Sequence, residues 1–296
     1  MPVPKHVFDP PFNIIRCSHA VLDVTDLDIS REFYETTVGL HVEDRDDKAV
    51  YLRGSEEHQH HSLVLRKAAA PACNRLGFKV GDDGDLDKAA AFLSANGVAH
   101  AFADQPFQGR TLQFTDPFGF QIELYARMEK RPHLLRRYDL YKGCHPQRLD
   151  HFNVFAAEVQ STLDFYASLG FRLSEYAEED GPNGRIAAAW LHRKGNVHDF
   201  AITNGKGPRL HHFAYWVPTA MNILHLCDVM ASSGYLKNIE RGPGRHGISN
   251  AFFLYVRDPD GRPNTISRAI KNKSSPPKMR NASSVIPSVR KSSLAS

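Results

Sequence analysis

A chain that repeats itself folds as two like units, and this constrains the present sequence more than any single motif. Ser18-His19-Ala20-Val21-Leu22-Asp23-Val24 alternates like a strand, and fourteen residues after His19 comes Phe33-Tyr34, then Gly39-Leu40. Asp150-His151-Phe152-Asn153-Val154-Phe155 opens in the same way, with Phe165-Tyr166 again fourteen residues on, then Gly170-Phe171. Each reads as a strand, a helix presenting an aromatic pair, and a glycine that ends it. Asn74-Arg75-Leu76-Gly77-Phe78-Lys79-Val80 parallels His211-His212-Phe213-Ala214-Tyr215-Trp216-Val217, and helices follow around 85–96 and 221–233. Each copy then reaches a turn, Asp116-Pro117-Phe118-Gly119 and Asp258-Pro259-Asp260-Gly261, with Pro and Gly where such a turn requires them.

The expected fold is therefore α+β: two tandem modules of paired βαβββ units, each a curved, mostly antiparallel sheet around a concave face. The modules are placed at 12–128 and 146–268, joined by a linker at 129–145. A Ser/Pro/Lys-rich segment at 269–296 has too few apolar residues for a core and is expected to be disordered. From Ser267 onward the chain carries seven Lys and Arg and no acid. Removing them takes the formal charge from +4 to −3, so the body of the protein is not expected to bind nucleic acid. No apolar run approaches the ~20 residues that span a bilayer, and the N-terminus lacks the apolar region of a signal peptide. The four cysteines form no CxxC pair, which points to a reducing, cytoplasmic setting.

The chemistry concentrates in the second copy. A single strand histidine is usually structural. His151 and His212, however, begin corresponding strands in the two halves of one module, where they can converge on a single ion. Leu149-Asp150-His151-Phe152-Asn153, Arg209-Leu210-His211-His212-Phe213, Glu240-Arg241-Gly242-Pro243-Gly244-Arg245-His246-Gly247 and Asp258-Pro259-Asp260-Gly261 resemble the extradiol catechol dioxygenases of the vicinal oxygen chelate superfamily. Within it, the likeness is to the homoprotocatechuate (3,4-dihydroxyphenylacetate) 2,3-dioxygenases, and it covers roughly residues 12–261.

That resemblance implies a two-His-one-carboxylate triad holding Fe(II) or Mn(II), with His151 and His212 as the imidazole ligands and three positions left for a catecholate and O2. His211 would face elsewhere. The resemblance also implies His198 as the acid/base near bound oxygen, Tyr255 as a donor to the substrate oxygen and His246 as a supporting histidine. Asn153 would flank the first ligand, while Trp190 and Arg241 would shape a pocket for an anionic side arm. Arg241 is the choice for pairing with a carboxylate, since its fork suits that geometry. Members of this family are usually homo-oligomers.

The pattern breaks at the third ligand. Module one has Glu123 seven residues after Asp116, but the same count from Asp258 lands on Thr265, and Pro263 would remove a donor from the closing strand. Module one keeps His19 and Glu123 but has Arg75 where the second imidazole should stand, and Arg is no metal ligand. Because the likeness ends abruptly after Gly261, the reading frame or a splice junction near codon 262 is expected to alter the end of the chain. The leading reading is extradiol cleavage of a catechol such as 3,4-dihydroxyphenylacetate. Its alternatives are an inactive or C-terminally altered relative, and a metal-free module that binds a small aromatic.

Overall fold

A computed structural model describes residues 3–179, 184–247, 250–261 and, as backbone only, 267–272. Module one runs β1 (Ile14–Val24), α1 (Leu27–Glu32), β2 (His41–Arg45), β3 (Ala49–Arg53), β4 (Leu63–Lys67), β5 (Ala72–Val80), α2 (Asp83–Ala95), β6 (His100–Asp104), β7 (Arg110–Thr115) and β8 (Gln121–Tyr125). Module two runs β9 (Arg148–Ala156), α3 (Val159–Ser168), β10 (Arg172–Glu178), β11 (Ile186–His192), β12 (Phe200–Asn204), β13 (Arg209–Trp216), α4 (Ala220–Ser232), β14 (Ile239–Arg245), β15 (Phe252–Arg257) and β16 (Ser267–Asn272). The sheet orders, β2-β3-β4-β1-β5-β8-β7-β6 and β10-β11-β12-β9-β13-β16-β15-β14, are the same topology twice. In each, two βαβββ units meet at a central antiparallel pair, β1 with β5 and β9 with β13.

Local chemistry sets the elements. Asp26 caps α1 by accepting from the Ile29 N–H at 2.9 Å, and Thr219 with Asn222 forms a capping box on α4. Phe33-Tyr34 opens a π-helical turn, Phe33–Val38, that continues α1 and is capped by Gly39. α3, with Phe165-Tyr166, ends just before Gly170. The φ values of 96° and 85° at these glycines lie in the left-handed region that glycine adopts without strain.

The repeated aromatic pair does more than fill each core. Tyr166 donates to Asp116 of the other module's turn at 2.7 Å, and Tyr34 reaches Asp258 at 3.4 Å, so each first helix latches the other module's last hairpin. Phe78 of module one also meets Phe152, Phe171 and Phe200 edge-on, which joins both halves into one buried apolar cluster. Each such ring, fully buried, contributes about 1.5–3 kcal/mol.

One boundary differs from the sequence expectation. The second module closes with a strand at 267–272, pairing parallel to β13 and antiparallel to β15, so it extends past residue 268 into what was assigned to the tail. Residues 273–296, Pro263 and Thr265 lie outside the described residues. The 129–145 segment lies against module one: the Leu134 N–H donates to Ser55 O at 2.6 Å and the Cys144 N–H to Val38 O at 3.0 Å. No helix among the described residues is long and apolar enough to cross a membrane.

Candidate functional site

Strand register assembles the site. Trp190, Ala201, Asn153 and His212 are directly opposed across β11, β12, β9 and β13. Arg241, Tyr255, Ala269, Ala214 and His151 form a second row across β14, β15, β16, β13 and β9. His151 and Asn153 are two apart on one strand, so the two rows share a face of the sheet.

Two bulges then aim the side chains. In β9 the extra residue is Asp150, skipped between the pairs Leu149–Tyr215 and His151–Ala214. Freed from strict alternation, its carboxylate accepts from His151 Nδ1 at 2.8 Å and is itself bonded by Asn196 Nδ2. A carboxylate on Nδ1 fixes the imidazole tautomer and turns Nε2 outward, the usual support of a metal-binding histidine. Nε2 of His151 lies 3.1 Å from Nε2 of His212, with both residues buried. In β13 the extra residue is His211, skipped between Leu210 and His212. Its ring therefore does not turn away as alternation implies: it packs against Phe155, with Nδ1 2.7 Å from Nδ1 of His212. Burial, then the nearby Arg209 charge, pushes His211 down to about 4, so it stands neutral beside its neighbour.

The remaining residues complete a chain of contacts. His198 is buried with its ring centroid 4.0 Å from that of His151. Tyr255 meets His212 edge-on at 5.1 Å, and its hydroxyl lies 3.2 Å from Nε2 of His246. Burial raises the Tyr255 hydroxyl to about 12. His246 is stacked on Phe253 at 3.8 Å. Asn153 is buried and accepts from Thr203 Oγ1 at 3.0 Å. Trp190 is half-buried in the first row, and Arg241 stands exposed at the end of the second, over Phe253. The fold thus brings His151, His198, His212, Tyr255 and His246 into contact, with Asn153, Trp190 and Arg241 in register around them. Asp150 and His211 were missed as contributors, since alternation assumes an unbroken pleat. The one signal was their position beside the paired histidines.

The Glyoxalase/Bleomycin resistance protein/Dioxygenase superfamily model matches residues 16–124 and 148–265, one match per module. The chain belongs to that superfamily. Among its relatives, the manganese-dependent 2,3-dihydroxybiphenyl 1,2-dioxygenase of Geobacillus genomosp. 3 is 30% identical over 83% of this chain and 82% of the relative. A metapyrocatechase of Geobacillus stearothermophilus is 29% identical over 87% and 81%. Homoprotocatechuate 2,3-dioxygenase from Brevibacterium fuscum, solved in complex with 3,4-dihydroxyphenylacetate, superposes with a TM-score of 0.86 at 40% identity, covering 93% of this chain and 85% of that one. The enzyme from Arthrobacter globiformis gives 0.85 at 38%, covering 92% and 84%. These relatives are extradiol dioxygenases.

Against the metal that membership in this superfamily implies, the residues fit in part. Two imidazole nitrogens 3.1 Å apart match adjacent corners around one ion at metal–nitrogen distances of about 2.1 Å. The third corner is decided by register. In module one Glu123 pairs with Gly77 and Gln113, and Gly77 faces His19. In module two the same place, paired with Ala214 and Tyr255, belongs to Ala269. The turn after Asp258 is four residues longer than the one after Asp116, so counting seven residues arrives early, at Thr265. Alanine has no ligating group. Among the described residues no three His, Cys, Asp or Glu are arranged to hold a metal ion.

Proposed function

We propose that the second module performs extradiol cleavage of a catechol with a carboxylate side arm, of the 3,4-dihydroxyphenylacetate class, using O2. The observation that carries this is the pair of Nε2 atoms of His151 and His212, 3.1 Å apart, beside His198 and Tyr255 on one face. His151 and His212 would hold a divalent ion, Fe(II) or Mn(II), which when bound supplies a common centre for catecholate and O2.

The chain's own residues do the rest. Tyr255, kept protonated by burial, donates to a catechol oxygen, and His246 behind it orients that hydroxyl. His198 takes and returns the proton passed from catechol to oxygen, a task suited to an imidazole. Asn153 flanks the first imidazole, Trp190 walls the ring, and Arg241 pairs with the side-arm carboxylate. The C–C bond beside the hydroxyl pair breaks, and both oxygen atoms enter the product. The four cysteines are unpaired, which supports a reducing cytoplasmic setting, and we assign the protein to a homo-oligomer of its family's kind.

Ala269 in the third ligand's place supports a second reading, a silent or C-terminally altered relative. Protein purified anaerobically, supplied with Fe(II) or Mn(II) and 3,4-dihydroxyphenylacetate, separates the two by formation of the yellow ring-opened product. Turnover that disappears in His151→Ala and His212→Ala carries the first reading. A folded protein without turnover, which gains it as Ala269→Glu, carries the second. Catechol binding that is unchanged by chelator would instead make the module a metal-free binder.

A further inference from the structure

Module one has its own cavity, of about 410 Å³, on the face that corresponds to the catalytic one. Register matches the two sites position by position. Tyr51 stands for Trp190 and Val21 for Asn153, and Arg75 occupies the place of His212. His61, three residues before Val64, stands for His198, which is three before Ala201. Its ring is 5.2 Å from that of His19.

The chemistry of this copy is closed to metal. Glu123 accepts from His19 at 3.1 Å and Gln108 at 2.9 Å on one oxygen, and from Arg75 at 3.1 Å and Gln113 at 2.8 Å on the other. Four donors fill a carboxylate. The His19 ring lies flat over Gly77, where a Cβ would come within 2.2 Å of it.

What remains facing the cavity has two characters. One wall is a separate apolar cluster of Val21, Ala49, Tyr51 and Val64, with Phe107 packed against it. The other is cationic. Lys48, Arg66, Lys67 and Arg75 line it against the carboxylates Asp46 and Glu123. Arg75 neutralises Glu123, and Arg66 leans on Asp23 at 3.4 Å, which leaves the two lysines facing Asp46. An apolar wall opposite an excess of positive charge, in a volume typical of small-molecule pockets, suits one kind of occupant.

We propose that module one holds a second, metal-free binding site for a small aromatic carboxylate, with the ring on Tyr51 and Val64 and the carboxylate toward Lys48 and Lys67. The site is independent of the chemistry assigned to module two. It makes the duplication a division of labour, with one copy for turnover and the other for binding.

Calorimetric titration of the full chain with phenylacetate, which cannot chelate as a catechol does, tests it. The expected result is a binding event that persists in the second-module double variant Arg241→Ala/His212→Ala and weakens by about tenfold in Lys48→Glu/Lys67→Glu, more strongly at low salt. Both lysines are exposed and lie outside module two, so that variant keeps its fold. Loss of binding in the second-module variant with no change in Lys48→Glu/Lys67→Glu would overturn the proposal, as would absence of any binding heat up to millimolar phenylacetate.

Discussion

The two modules share strand order, the same pair of bulges and the same aromatic latch, yet three register positions separate their chemistry. Arg75 corresponds to His212, Glu123 to Ala269, and Gln113 to Tyr255. Module one retains the carboxylate and has lost an imidazole. Module two retains both imidazoles and holds alanine at the carboxylate position. The backbone has been kept while the side chains have been divided, so the sheet is a frame on which single positions choose between an ion pair and a histidine pair. That explains why Glu123, with no imidazole pair to serve, is neutralised by an arginine: a buried carboxylate must be paired.

Restoring the divided set should give the largest effect. Ala269→Glu is expected to raise Mn(II) or Co(II) affinity on the order of 100-fold, about 3 kcal/mol, read as metal retained after dialysis. Unchanged retention would mean that strand 267–272 does not present position 269 to the two imidazoles.

The acid stability of module one comes next. Burial alone would raise the Glu123 carboxyl, but bonds from His19 and Gln108 and the charge of Arg75 hold it at about 2, below its ordinary 4.5. A depressed carboxyl gives stability that is fully present above about pH 4.5 and lost as pH falls toward 2, here on the order of 3 kcal/mol. Unfolding free energies measured from pH 5 to 2 should therefore fall more steeply in the native chain than in Glu123→Gln. Equal slopes would contradict the ion pair.

Asp150→Asn tests the support of His151, the proposed metal ligand of module two, and should weaken metal binding by about tenfold. The bulge counterpart in module one is Ser18, and Ser18→Ala should leave metal binding unchanged. The smallest effect concerns the latches. Tyr166→Phe, which removes the 2.7 Å bond, should cost about 1–2 kcal/mol in chemical unfolding. Tyr34→Phe, at 3.4 Å, should cost less. A reversed order would show that the two modules dock unequally for another reason.

How much of this was legible in the residues depended on whether the signal was local. Phe33-Tyr34 and Phe165-Tyr166 lie in helices that end at glycine, and the Asp-Pro turns lie where their residues require, because a helix cap or turn is decided within a few residues. Arg75 was correctly matched to His212, since both lie on a central strand whose hydrophobic pattern anchors the register. The bulges were not visible. An extra residue at Asp150 or His211 changes no composition and only shifts a phase. The third ligand was misplaced for the same reason, because a fixed count cannot anticipate a turn lengthened by four residues. Register across β13 and β15, a long-range property, was needed to reach Ala269.

The latch between Tyr34 and Asp258 joins residues 224 apart in sequence. During synthesis from the N-terminus, the first helix exists long before its partner turn has been made, and module one must wait for nearly the whole chain to complete its docking. Its counterpart, Tyr166 with Asp116, closes after only 50 intervening steps. The order of emergence thus makes the final hairpin, which ends in the strand carrying position 269, the last piece to be secured.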